Sequence, residues 1–414
     1  SGILAIDVGS GSVKAAYARV TGAGSVEVRP VRIPLPEGAD ASEDSGLLIK
    51  SVLDRAAGAI EAVKAAVRCG PRDVVWMALP SKLVEVVDLR LPPMPLKEAL
   101  SYLRVHWDME FRTPLEEAVV QYKYEPSQRG ARLLVAASRR SAVAGFRRLA
   151  SLAGLKCRLL EPEHMALLRL ALYQVAVNLA GGVAPSAGRG GLPAEVVEAA
   201  DRPGSSVAWA VVDMGYSSAR VVAYGPRAPL FYSEIPVGGS ALDGLLAEAF
   251  GTDRRTAAEI KKDAGLFERG PGAPHSVVYP AVLRLVEQVK RSLEYYLIKN
   301  DDVWLAGLVL AGGLASMPGL KEEIERLLID SVGWRAARAS SLARVAAAPG
   351  GIPFTVELAR CGEVLSQATG KGDGHAGDAD RLEAGPCGRI GPEFACAAGL
   401  LLRGLSQLGG AREL

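Results

Sequence analysis

Residues 3–17, ILAIDVGSGSVKAAY from Ile3 to Tyr17, are the stretch from which the rest of the chain can be read. An apolar, β-forming run ends on Asp7, a tight turn of small residues follows, and a second apolar run returns to an aromatic. That is the pattern of a β-hairpin with its small residues at the turn. The pattern recurs about half the chain later as VAWAVVDMGYSSARVVAY, Val207 to Tyr224, with Asp213 in the place of Asp7. Two such hairpins predict a duplicated domain.

The turn chemistry points to an anion. Asp7-Val8-Gly9-Ser10-Gly11-Ser12-Val13-Lys14 is short enough to expose consecutive backbone N–H groups as a phosphate-binding nest, and Lys14 on the returning strand adds a positive charge. Asp7 at the strand end is placed to hold Mg²⁺ through water, because that ion keeps much of its hydration shell. Asp213 to Ala219 predicts a second phosphate loop facing the first, with Asp213 as the second carboxylate near the metal. One nucleotide between the two would hold both halves together. A third element, LVLAGGLASMPGL from Leu308 to Leu320, runs an apolar strand into Gly312-Gly313, where a base or ribose can approach the backbone closely. Neither a Walker A loop nor G-x-G-x-x-G occurs at these turns, so P-loop and Rossmann readings find no support.

Helical patterns alternate with short apolar strands around these motifs, which predicts an α/β architecture. Leu47 to Val67, Ser141 to Ala153 and Glu163 to Ala180 read as helices. Val74 to Leu79, Val84 to Leu91 and Leu133 to Ala137 read as strands, the second stopped by Pro92 and Pro93. Gly181 to Ser206 is rich in Gly, Pro and Ala and reads as a linker; Gly370 to Gly391 reads as a long surface loop.

Composition narrows the class. At 49% hydrophobic and 23% charged the chain is a folded globular protein, and 414 residues bury a sizeable core. With 48 Lys and Arg against 46 Asp and Glu, it lacks the basic surplus of a dedicated nucleic-acid binder. Five scattered cysteines form no C-x-x-C pair, which argues for reduced, buried thiols rather than disulfides or zinc. The first apolar run contains Asp7 and lacks a basic n-region, and no run reaches the 18 or so residues a bilayer span needs. The expectation is a cytoplasmic protein.

The three motifs, in this order and spacing, resemble the phosphate-1, phosphate-2 and adenosine motifs of the actin-like ATPase superfamily. Within it the chain is most similar to the PilM family of type IV pilus assembly proteins, related to FtsA. That likeness rests on MALPSKLVEVVDLRLPPMP (Met77 to Pro95), LLVAASRRSAVAGFRRLASLAGLKCRLLEPE (Leu133 to Glu163), FYSEIPVGGSALDGLL (Phe231 to Leu246) and PEFACAAGLLLRGL (Pro392 to Leu405).

The resemblance implies an actin-like, ribonuclease H-like duplicated α/β fold with a nucleotide cleft between its halves. The first half spans 1–180, with an inserted small subdomain at about 84–160; a linker covers 181–206; the second half spans 207–414, with a small helical subdomain at about 240–290. It implies ATP and Mg²⁺ as cofactors. Gly9, Ser10, Gly11, Ser12 and Lys14 match the first phosphate loop, Gly215, Ser217 and Ser218 the second, and Asp7 and Asp213 the metal carboxylates. Glu259 and Lys262, with Lys261 as the alternative basic residue, match the pair that brackets ribose and adenine, and Gly312 and Gly313 match the adenosine contact. Glu163 falls where related ATPases orient the attacking water, although a carboxylate at a helix start also suits the helix dipole. Tyr216 and Ser217 stand where hydrolytic relatives carry Gly-Gly, so at most slow ATP turnover is expected.

The partner the resemblance implies is a PilN-like inner-membrane protein, whose N-terminal cytoplasmic peptide would bind beside the insert and hold the chain peripherally at the membrane. It leaves open self-association and contacts with other platform or motor proteins. Two alternatives share the fold. An FtsA-like filament would need an amphipathic anchor, whereas Phe394 to Leu408 is uniformly apolar and reads as a buried closing helix. A small-molecule kinase would need a base near the γ-phosphate, for which Glu163 is the obvious candidate.

Overall fold

Strand β1 (Gly2–Val8) is buried along its whole length, a pattern that only a central strand covered on both faces can sustain. It pairs antiparallel with β2 (Ser12–Val20), which pairs with β3 (Val26–Pro34). Helix α1 (Ser45–Val67) then crosses over to β4 (Val74–Leu79), which joins β1 on its other side in parallel. The computed structural model describes residues 2–21, 26–36, 45–127, 130–180, 196, 206–226, 228–266, 272–300, 302–329, 355–368 and 390–405.

The chain then leaves this sheet to build a separate layer. Strands β5 (Glu85–Leu91), β6 (Ala118–Ser127) and β7 (Gly130–Arg139) form a three-stranded antiparallel sheet with β7 central, and helices α2 (Leu96–Val105) and α3 (Trp107–Glu110) lie between β5 and β6. Trp107, Phe111, Leu103 and Leu133 make its small core. Helix α4 (Arg140–Leu152) and strand β8 (Cys157–Pro162) belong to the first half instead: β8 pairs parallel with β4, and Phe146 and Leu149 of α4 pack with Ile60 and Met77. The inserted layer therefore ends near Arg139, short of the boundary at about 160 expected from sequence, because the apolar face of α4 is buried against the first sheet. Helix α5 (Glu163–Leu179) starts directly after β8.

The second half repeats the plan. Strands β9 (Ser206–Met214), β10 (Ala219–Tyr224) and β11 (Phe231–Ile235) form an antiparallel meander. Helices α6 (Gly239–Phe250), α7 (Arg254–Ala264) and α8 (Pro274–Lys299) follow, and β12 (Val303–Ala311) returns parallel to β9. After α9 (Leu320–Ile329), β13 (Thr355–Leu358) adds to β12. The strand orders β3-β2-β1-β4-β8 and β11-β10-β9-β12-β13 are the same arrangement used twice. Helices α6, α7 and α8 cover the stretch expected as a helical subdomain at about 240–290, and their Leu242, Leu246, Ala257 and Leu285 share one core with Val212 and Val221 of the second sheet. Of the segments read as linker and long loop, all but Val196, Ser206, Ile390 and Gly391 lie outside the described residues.

Helix α10 (Cys361–Ala368) leads toward the C-terminal helix α11 (Ala395–Leu405). Helices α5 and α11 run between the two sheets, so that Trp76, Leu167, Leu172, Trp209, Leu400 and Leu402 share one core across the halves. The helices cross closely at Gly399, where an added Cβ would sit 1.8 Å from the Ala166 carbonyl oxygen. Ala395 to Ala398 and Leu400 to Leu402 are buried, so this helix closes the core as expected and is not a surface anchor. Among the described residues no helix is long and apolar enough to cross a membrane.

Candidate nucleotide cleft

The two hairpin turns superimpose in construction. In the first, the Gly9 N–H donates to the Ser12 carbonyl at 3.1 Å; in the second, the Gly215 N–H donates to the Ser218 carbonyl at 3.0 Å. Below each turn a buried aspartate faces a cation across the antiparallel pair. Asp7 stands opposite Lys14, with Oδ2 3.3 Å from Nζ, and Asp213 stands opposite Arg220, with Oδ2 2.6 Å from Nη2. Each glycine also covers its cation: a Cβ on Gly9 would lie 3.6 Å from Lys14 Nζ, and one on Gly215 would lie 3.3 Å from Arg220 Nη2.

The tips meet between the halves. Ser217 Oγ donates to Ser10 Oγ at 3.0 Å, and the Tyr216 ring lies over Gly11, where a Cβ would come within 2.7 Å of Cγ. Arg55 of α1 holds the Ser10 carbonyl at 2.7 Å. The N-terminus of α6 supports the second turn from behind, as the Gly239 N–H donates to Gly215 and the Ser240 N–H to Tyr216. Gly238 is needed there, since a Cβ would lie 2.5 Å from the Tyr216 carbonyl oxygen.

Glu163 enters the same cluster from α5. Its carboxylate accepts from the Ser81 N–H at 3.2 Å and pairs with Arg220 Nη1. Burial, with Asp7 and Asp213 nearby, pushes its pKa up to about 7 against the pull of Arg220. Burial works against the charge of Lys14 too, but Asp7, Asp213 and Glu163 outweigh it and hold that pKa above its ordinary value. His164, Nδ1 3.2 Å from Ser81 Oγ, is kept neutral by burial, its pKa lowered to about 4. The cluster thus sets three carboxyl groups, Asp7, Asp213 and Glu163, against the two cations Lys14 and Arg220.

Gly312 adopts φ +88° behind Asp213, where a Cβ would fall 2.6 Å from Oδ1; a Cβ on Gly313 meets open space. Of the two turns, Gly9, Ser10, Ser217 and Ser218 line the cleft, whereas Ser12 Oγ accepts from Arg32 Nε at 3.3 Å. Glu259 is exposed and reaches only Arg255 on its own helix, at 3.8 Å, and Lys262 is exposed as well. Lys261 turns inward instead, 2.6 Å from Asp243 Oδ1 and 3.2 Å from the Gly239 carbonyl. Of the two lysines, then, the structure brings Lys261 to the second turn.

The space between the turns, lined by Gly9, Ser10, Ser81, Glu163, Ser217 and Arg220, is about 70 Å³. Small-molecule pockets start at about 300 Å³, so a nucleotide requires the halves to part. Magnesium would need oxygens of one or two of these carboxylates, directly or through its water shell. Each of the three is already bound to Lys14 or Arg220, and no group of three or more His, Cys, Asp or Glu among the described residues is arranged for a metal ion. The residues present do not fit a bound divalent ion in this arrangement. Arg220 is the functional residue that sequence reading passes over. Its signal is available, for DMGYSSAR aligned on DVGSGSVK puts Arg220 on Lys14.

Residues 194–332, about a third of the chain, match the family model described as type IV pilus assembly protein PilM. Over nearly its whole length the chain superimposes on the PilM-PilN type IV pilus biogenesis complex, with a TM-score of 0.62, 22% identity, and 97% of this chain and 98% of that one covered. The chain has an actin-like fold of the PilM type. More distant likenesses are to the ethanolamine utilization protein EutJ from Carboxydothermus hydrogenoformans (TM-score 0.46, 14% identity, 97% and 89% covered) and to Ta0583, an archaeal actin homolog (0.41, 14%, 97% and 98%). No curated protein matched.

Proposed function

We propose that this chain is a nucleotide-binding scaffold of a type IV pilus assembly platform, peripheral at the inner membrane through a PilN-like protein whose cytoplasmic N-terminal peptide it binds. The observation that carries the nucleotide part is the pair of matched turns, one from each half, meeting at Ser10 and Ser217 over paired Asp-cation sites. Backbone N–H groups of the turns are donors suited to phosphate oxygens, and Lys14 and Arg220, each held by carboxylates here, add N–H donors beside them. The partner part draws on the match to PilM over 194–332 and on the likeness to the PilM-PilN complex.

The reading is of a binding device rather than an efficient enzyme. Glu163, the candidate for orienting water, is engaged by Arg220 and Ser81. ATP would enter only when the Ser10 to Ser217 contact opens, so its binding energy shifts the population toward the parted form. That form, with its altered surface beside the insert, would be the one read by the peptide. Calorimetry of ATP into the full chain, and anisotropy of a labelled PilN-type N-terminal peptide with and without ATP, test both parts. Heat on titration and ATP-dependent peptide binding are expected; no heat and no peptide bound in either condition refutes the reading.

A further inference from the structure

The Asp7 and Asp213 pairs are equivalent by duplication, but they are not equivalent in reach. Lys14 presents one point charge to one carboxylate. The Arg220 guanidinium forks, Nη2 to Asp213 of β9 and Nη1 to Glu163 of α5, and so joins an acid of the second half to an acid of the first. It lies directly beneath Gly215 of the second turn, with its side chain largely buried. Burial disfavours its charge, yet Glu163 and Asp213 more than compensate and keep it protonated. Its Nε–H is buried and has no hydrogen-bond partner among the described residues. A planar guanidinium fits carboxylate and phosphate oxygens alike, and its weaker hydration lets it occupy such a place at lower cost than a hydrated divalent ion.

We propose that Arg220 is a built-in replacement for the divalent ion: it bridges the carboxylates Asp213 and Glu163 and offers its remaining N–H to nucleotide phosphate, so that the cleft takes nucleotide independently of Mg²⁺. The inference rests on the nucleotide reading above for its phosphate, but its claim about the carboxylates stands without it. With Arg220 in place, a divalent ion would have to break two charged contacts before it gained any carboxylate. With the guanidinium removed, Asp213 and Glu163 lose their direct cationic partner and, with Asp7, face only Lys14, which leaves three carboxyls to one cation and room for a divalent ion.

Two measurements decide it. In the first, ATP is titrated into wild-type protein in EDTA and in saturating Mg²⁺, and the two affinities are expected to agree. Binding tighter in Mg²⁺ by about tenfold or more, the least that one charged contact to phosphate is worth, overturns the proposal. In the second, Mn²⁺ is titrated without nucleotide at about pH 8, above the Glu163 pKa, and free Mn²⁺ is read by electron paramagnetic resonance. Wild type and Arg220→Lys are expected to leave Mn²⁺ free, and Arg220→Gln to bind it. Mn²⁺ held by wild type, or by none of the three folded proteins, overturns the proposal. Should Arg220→Gln fail to fold, the wild-type result decides alone. Should wild type bind no ATP in either buffer, the nucleotide reading falls and the Mn²⁺ series still tests the carboxylate claim.

Discussion

Glu163→Gln isolates the electrostatics of the cleft in one atom exchange. Glutamine keeps an acceptor for the Ser81 N–H and for Arg220 but carries no charge. Burial and the two aspartates raise the Glu163 pKa from its ordinary 4.5 to about 7, so between those values the folded protein holds a proton that the unfolded chain has released. Stability is therefore lost as pH rises through this window. Each tenfold change in proton affinity is worth about 1.4 kcal/mol, so the full loss is about 3 kcal/mol, of which about 2 to 3 kcal/mol falls between pH 5 and pH 8. Wild type alone hides it, because the adjacent His164 acts in the opposite sense. Its pKa is lowered by burial from 6.5 to about 4, so its contribution is lost as pH falls through that range. Urea unfolding of wild type and Glu163→Gln across pH 5 to 8 separates the two, since His164 is common to both. The variant is expected to gain about 2 to 3 kcal/mol on wild type from the bottom to the top of this range, whatever the offset at pH 5. A difference that stays flat would refute the reasoning. One that runs the other way would show that the attraction of Arg220 outweighs desolvation.

Other outcomes follow from single contacts. Ser217→Ala removes the Ser10 hydrogen bond that closes the turns, and urea unfolding is expected to show a loss of about 1 kcal/mol. Gly399→Ala forces a methyl onto the Ala166 carbonyl, and calorimetric unfolding should show a loss of about 1 to 3 kcal/mol. Arg132 holds Asp88 at 2.8 and 2.6 Å and the carbonyls of Pro226 and Ala228 at 3.2 Å, tying the insert to the second half. Arg132→Ala leaves the buried Asp88 charge with only the Leu230 N–H at 2.8 Å, so a loss of about 3 kcal/mol in urea unfolding is expected, with earlier proteolysis of the insert.

Much of this molecule is legible locally. Both hairpins, the helices at 45–67 and 163–179, the strand at 74–79 and the closing helix follow from runs of apolar residues with their periods and turn residues, which act over a few positions. The pairing of Asp7 with Lys14 belongs to the same class, as does that of Asp213 with Arg220, since hairpin register follows from turn length. The duplication itself is written in two alignable octapeptides. The end of the insert is not legible in this way, because a strand followed by a helix looks alike in sequence whichever sheet it joins. Lys261 rather than Lys262 turns inward by the phase of α7 against α6, which no spacing argument settles within one residue. Only the tertiary structure decided that Ser10 touches Ser217, and that Glu163 and Asp213 share one guanidinium. Those partners sit at strand ends, turns and a helix start that meet only after two sheets have closed on α5 and α11. Such a meeting depends on the packed volume of a whole core, a property that no local stretch carries.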